Sequence, residues 1–427
     1  MIAFSVFGPS TQHAKAMTVE DAVAAAIARD PTLSAARSEV KAAHTDVDVA
    51  RSGYLPSISA SGGPQEVSPD QWAYEVTAAQ MVHDWGQTRS KVGSARATER
   101  QRRADWSIAR DEAARDVIEI YLDVVLARLQ REVDLDQISA LTGLSHMTEM
   151  RADSGYADRS EPDRTQLELA RARQKLASDD GQAAAAAAQF ETLVGALPEH
   201  LEQPTPISMI RYLETQDIDA LIDEAPRYLK ALEETHYTRA QFDDTRSAML
   251  PRINLEATAL NREIGGRMAS DAVVALRLRM TPMQGFSSFD RANAARERVN
   301  AAQLKETAVR RDISRELRNL TTSATALEQQ AQALHAQVVS AGSLIGLYRE
   351  QFQVGRRDIV DLVTIQREHF DALRSLNEVK LQTIRIQYRI AAQLGNFPTS
   401  SHCRGTSRDE SNVGRLWAIG AQARSLA

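Results

Sequence analysis

Apolar residues along this chain follow two periods. Over most of its length they recur every three to four positions, the spacing of one helix face. From about Gln87 to Arg151, Val117, Ile120, Tyr121 and Val124 share such a face, with charged residues opposite. The same period runs from about Ser288 to Gln353, where Leu334, Val338, Ala341 and Ile345 step by fours and threes, as in coiled packing. At about 1.5 Å per residue, a helix of either length would be on the order of 100 Å long. Each is followed, across a short polar turn, by a further helix ending near Leu197 or Leu394. The first of these contains six consecutive alanines, Ala183–Ala188, which suit a close helix–helix contact. Shorter helical patterns run from Thr18 to about Ser52, interrupted at Pro31, and from Asp217 to about Met249.

Elsewhere the period drops to two, the signature of a strand with two unlike faces. Over Gln71–Val82, Trp72, Tyr74, Val76 and Ala78 alternate with Ala73, Glu75, Thr77 and Ala79. Over Pro251–Leu260, Ile253, Leu255, Ala257 and Ala259 alternate with Asn254, Glu256 and Thr258. Val274, Leu276, Leu278 and Met280 alternate with residues that include Arg277 and Arg279, which reads as a lipid face and a water face. Ser57–Ser61 is a fourth, shorter segment. Gly62-Gly63-Pro64 and the polar stretch Asn261–Asp271 read as turns.

The polar turn after the second long helix is Gln353-Val-Gly-Arg-Arg-Asp-Ile-Val-Asp-Leu362. Gly355 is the helix stop, because glycine accepts the left-handed backbone of a helix end. Asp358 is placed to cap the next helix. The same arrangement stands 200 residues earlier: Gly155, Asp158 and Gln166 match Gly355, Asp358 and Gln366. Towards the start of each copy the offset is 195, with Pro31 and Leu55-Pro56 matching Pro226 and Leu250-Pro251. The second copy therefore carries five extra residues before Gly285. The chain is two tandem copies of one unit, 18–198 and 217–398, joined by a linker at 199–216.

Composition narrows the class. The 427 residues exceed one compact core, and aromatics make up only 5%, which fits thin, closely packed helices. The net charge of −6 is spread without a basic stripe, so no nucleic-acid partner is expected. No segment approaches the roughly 20 apolar residues of a membrane-spanning helix, which leaves strands as the only way across a bilayer. The single Cys403 excludes a disulfide framework. The histidines lack paired metal-ligand spacing, and no nucleophile elbow, Walker loop or dinucleotide fingerprint is present. No metal, cofactor or catalysis is expected. Residues 1–17 read as a leader remnant around Ala14-Lys15-Ala16, and 399–427 as a disordered tail.

Four strands per chain pose a closure problem. An open sheet leaves unpaired backbone groups at its edges, which hydrocarbon does not tolerate. A barrel needs about eight strands or more, so the chain must oligomerise. With its tandem repeat, Tyr54-Leu-Pro-Ser-Ile58, Met249-Leu-Pro-Arg-Ile253 and Val354–Leu362, the sequence resembles the TolC family of outer-membrane channel proteins. The resemblance implies a mixed α/β membrane protein: a homotrimer with a β-barrel of about twelve strands in the outer membrane, continued by a helical barrel into the periplasm. It implies an exit duct of a type I secretion or tripartite efflux system, working with a periplasmic adaptor and an inner-membrane transporter. The missing N-terminal lipid-anchor cysteine leans the expectation towards type I secretion, with drug or metal efflux as the alternative. A pore-less coiled-coil rod is the competing reading, but it has no use for the alternating strands.

The resemblance also places residues. Asp361 falls where the family carries a constriction aspartate, and Thr364 where it carries a second ring residue. Arg357 falls on a family arginine that links neighbouring hairpins, and Glu161 on its acidic partner. The tips at Gly155, Tyr156, Gly355 and Arg356 are the expected adaptor contacts. Arg277 and Arg279 are expected to face the lumen.

Overall fold

A computed structural model describes residues 16–64, 72–156, 158–204, 207, 209–264, 267–280 and 287–395. The expected leader and tail lie outside these residues, apart from the last positions of the leader.

The elements occur in two matched series. The first is α1 (Val19–Arg29), α2 (Pro31–Ser52), β1 (Ser57–Pro64), β2 (Trp72–His83), α3 (Gln87–Asp153) and α4 (Ser160–Val194). After α5 (Met209–Thr215) comes the second: α6 (Ile218–Glu224), α7 (Pro226–Ser247), β3 (Arg252–Ile264), β4 (Arg267–Arg279), α8 (Ser287–Gln353) and α9 (Ile359–Gln393). Helices α2 and α7 are both 22 residues long, α3 and α8 both 67, α4 and α9 both 35. The extra residues of the second copy fall after its strands: β2 is followed by α3 at Gln87, whereas β4 ends at Arg279 and α8 begins only at Ser287.

The structure corrects three expectations. Gly62–Pro64 is no turn but the end of β1, paired with Trp72–Tyr74. Most of Asn261–Asp271 is strand, because the β3–β4 ladder runs without a break to Ile264 and Arg267. The expected helix from Asp217 is two, since Pro226 has no N–H to continue the first and starts α7 instead. The stretch 199–216 carries α5, which buries Met209 and Leu213.

The chain divides into two units, and α3 and α8 contribute residues to both. The first unit holds the described residues within 16–30, 110–218 and 315–395. Its main core joins Val19, Val23 and Ala26 of α1 to Val117, Tyr121 and Val124 of α3, Phe190 and Val194 of α4, and Leu381 and Ile384 of α9. Tyr121 is fully buried, and its hydroxyl lies 2.9 and 2.5 Å from the carbonyls of Met17 and Glu202, which share its one proton. Burial holds that phenol well above its ordinary pKa. Arginines of α9 bind acids of α3: Arg389 to Glu119 at 2.8 Å and Arg385 to Asp123 at 2.5 Å. Arg374 reaches both Asp134 of α3 and Asp179 of α4, at 2.5 and 2.6 Å.

The second unit, residues 31–109 and 219–314, carries the sheet. Its order is β1-β2-β3-β4, antiparallel throughout, so the β2–β3 ladder joins the two copies. The register aligns the faces of all four strands. Ile58, Ala78, Ala257 and Val274 stand in one cross-strand row, and Ala60, Val76, Ala259 and Ala272 in the next. That face is apolar, with Trp72 and Tyr74 stacked at one end. Val274, Leu276 and Leu278 on it are about 70% exposed, far more than soluble strands leave open. The other face carries Ser57, Ser59, Glu75, Thr77, Glu256, Arg277 and Arg279.

Candidate functional site

The two hairpin tips share one backbone solution. Gly155 and Gly355 both have φ of +74°. In the first tip, the Tyr156 N–H donates to the Arg151 carbonyl at 2.9 Å and that of Gly155 to Ala152 at 3.0 Å. In the second, Arg356 donates to Gln351 at 2.8 Å and Gly355 to Phe352 at 3.0 Å. This is the Schellman closure, which satisfies carbonyls left over at a helix end. Asp358 then caps α9, its carboxylate accepting from the Val360 N–H at 3.2 Å. Tyr156 is 82% exposed.

Beneath the tips, Leu144 of α3, Ala341 and Phe352 of α8, and Ile359, Leu362 and Val363 of α9 form one apolar cluster. Arg151 ties the hairpins together: it donates to the Phe352 carbonyl at 3.1 Å and lies over the Phe352 ring at 4.5 Å. Sequence reasoning passed over this arginine. Its signal was the break in the repeat, since the matching position is Gln351.

Within one chain Arg357 binds not Glu161 but Asp361, at 2.7 Å. It also donates to the Gln351 side chain at 3.2 Å and stacks over Tyr348 at 4.0 Å. The hydrogen bond to Asp361 holds the guanidinium above its ordinary pKa. Glu161 is taken by Arg151 at 3.4 Å. Glu161 and Asp361 are equivalent positions in the two copies, so each tip neutralises the same acid with an arginine from a different place. In α4 the arginine comes from the preceding helix; in α9 it comes from the turn. Thr364 is half-buried one turn beyond Asp361.

A second set of polar groups lies in the sheet. Arg277 reaches Glu256 at 2.9 Å and Arg279 reaches it at 2.7 Å. Both arginines share the polar face, opposite Leu276 and Leu278.

This architecture has known relatives. The family model described as outer membrane efflux protein matches residues 22–196 and 218–396. The outer membrane efflux protein BepC of Brucella suis is 20% identical over 370 residues, covering 84% of this chain and 80% of BepC. Among solved structures, the transmembrane channel CusC superposes with a TM-score of 0.78 at 13% identity, covering 88% of this chain and 92% of CusC. The outer membrane protein VceC of Vibrio cholerae superposes with a TM-score of 0.76 at 15% identity, covering 88% and 96%. The chain belongs to the outer membrane efflux protein family: it is a channel of the outer membrane, not an enzyme.

Proposed function

We propose that three copies of the chain close into a barrel of about twelve strands and form the exit duct of a tripartite efflux assembly. The observation that supports this most is the sheet. It is four strands wide, apolar on one face and polar on the other, and among the described residues its edge strands β1 and β4 are each paired along one side alone. In hydrocarbon such edges must be paired, and pairing the β1 edge of one copy with the β4 edge of the next closes a ring. Three copies leave a water-filled interior, with Arg277 and Arg279 facing it.

Efflux is favoured over protein secretion because both the family and the Brucella relative are described as efflux proteins. The hairpin tips are the docking points for a periplasmic adaptor, and the adaptor brings an inner-membrane transporter. Arg357, Asp361, Glu161 and Thr364 form the gate at those tips, where symmetry-related copies converge. Affinity purification after crosslinking tests the assignment. Single cysteines at Tyr156 or Arg356 should capture an adaptor, and the transporter recovered with it identifies the cargo class. Recovery of a protein-exporting ATPase would instead restore the secretion reading, and crosslinks made only from the β1–β2 or β3–β4 turns would remove the tips as docking points.

A further inference from the structure

The polar face of the sheet is not uniformly charged. At the end of β3 and β4 nearest their helices, Arg252 stands directly opposite Arg279, and Asn254 opposite Arg277. Like charges paired across two strands ordinarily destabilise a sheet. Here they are retained around one carboxylate, Glu256, which Arg277 and Arg279 both bind. A second acid, Asp84, lies within electrostatic reach of Arg252. Its oxygens are committed to the backbone N–H groups of Gly86 and Thr88, at 3.1 and 2.6 Å.

The two carboxylates and three guanidiniums sit at different depths. Glu256 and Asp84 are 3% and 7% exposed. The side chains of Arg277 and Arg279 are 55% and 65% exposed, and Arg252 is exposed too. A solute approaching this face therefore meets guanidinium, with the compensating charge buried below. Each guanidinium carries five N–H donors in a planar fork, and Glu256 offers only two oxygens to the pair. The fork geometry suits a carboxylate or phosphate, which can take two parallel N–H···O bonds.

We propose that Arg252, Arg277 and Arg279 form an anion-binding collar on the water-facing side of the barrel, taking carboxylate- or phosphate-bearing solutes as they pass. Glu256 is a positioning residue that holds two of the forks in place. The proposal rests on the channel reading above. In a threefold barrel the collar appears three times around one passage, where low-dielectric walls concentrate its field.

The test is ion selectivity and anion block in planar bilayers, with the full-length protein. Reversal potentials are read in a potassium chloride gradient, and inorganic pyrophosphate serves as the probe anion. Arg252→Gln leaves the Glu256 pairs untouched, while the triple variant E256Q/R277Q/R279Q removes two forks without stranding a buried carboxylate. Both should lower the chloride-to-potassium permeability ratio by about twofold or more, and both should raise the half-blocking pyrophosphate concentration by about tenfold, the effect fading as salt screens the field. The charge-conserving R277K/R279K should keep the permeability ratio yet weaken the pyrophosphate block, because lysine lacks the fork. Conducting channels with unchanged ratio and unchanged block in both glutamine variants would overturn the collar alone. A wild-type protein that never conducts would overturn the channel reading and the collar with it.

Discussion

Arg357 organises the second tip, because one guanidinium holds Asp361, Gln351 and the Tyr348 ring together. Exposed pairs of this kind contribute little singly, because solvent screens them. In the proposed trimer, threefold repetition around a narrow opening multiplies their effect. Arg357→Ala is expected to raise the resting conductance of the channel, and Asp361→Ala to weaken its cation preference and any block by multivalent cations. Unchanged conductance in the first variant and unchanged selectivity in the second would move the constriction elsewhere. Asp134 gives a separate prediction. It is 1% exposed, and burial, with Asp179 adding to it, pushes its carboxyl up to about 6, against the partial relief from Arg374. Between the ordinary value of 3.8 and about 6, the folded chain keeps a proton that the unfolded chain releases. Stability from this group is therefore full below that window and falls as pH rises through it. Asp134→Asn should raise the melting temperature at pH 7.5 more than at pH 4.5; an equal change at both would show that Asp134 does not titrate there. Little of this residue-level detail was legible in the sequence. Asp358 as a cap and the two glycine stops were, since capping is local chemistry. The pairing of Arg357 with Asp361, of Arg151 with Glu161, and the Asp134–Arg374–Asp179 cluster depend on which helices meet.

The elements were far more readable than their contacts. Both 67-residue helices, both hairpin tips and the alternating strands follow from periodicity and punctuation. Two of the misses were at strand ends. Gly62-Gly63-Pro64 and the polar stretch 261–271 carry turn residues, but a ladder already running between two strands keeps most of their positions extended. Propensity in a sheet is weaker than pairing. Two predictions belong here. Leu278 stands on the apolar face and Arg279 on the polar one, so Leu278→Arg should impair assembly far more than Arg279→Leu. Equal effects on the yield of assembled protein would mean that the faces are reversed. Gly355 has φ of +74° with nothing within 4 Å of where a side chain would begin. Gly355→Ala should thus cost about 1 kcal/mol from backbone strain alone. Hydrogen exchange should show faster opening at the tip and no change in the apolar cluster beneath it; protection lost throughout that cluster would contradict a purely local cost.

At the scale of the whole molecule, the repeat was the most informative feature of the sequence. It predicted paired helices of equal length, and α2 with α7, α3 with α8 and α4 with α9 match in length. It also predicted four strands, which the chain assembles into one sheet with the copies joined through β2 and β3. A single sequence does not state how many chains close the barrel; that number follows from edge pairing and the need for a passage. The most direct measurement is native mass spectrometry of the detergent-solubilised protein. Three chains per particle is the predicted result, unchanged on dilution. A stable monomer or dimer that retains its strand content and still conducts in a bilayer would contradict the account.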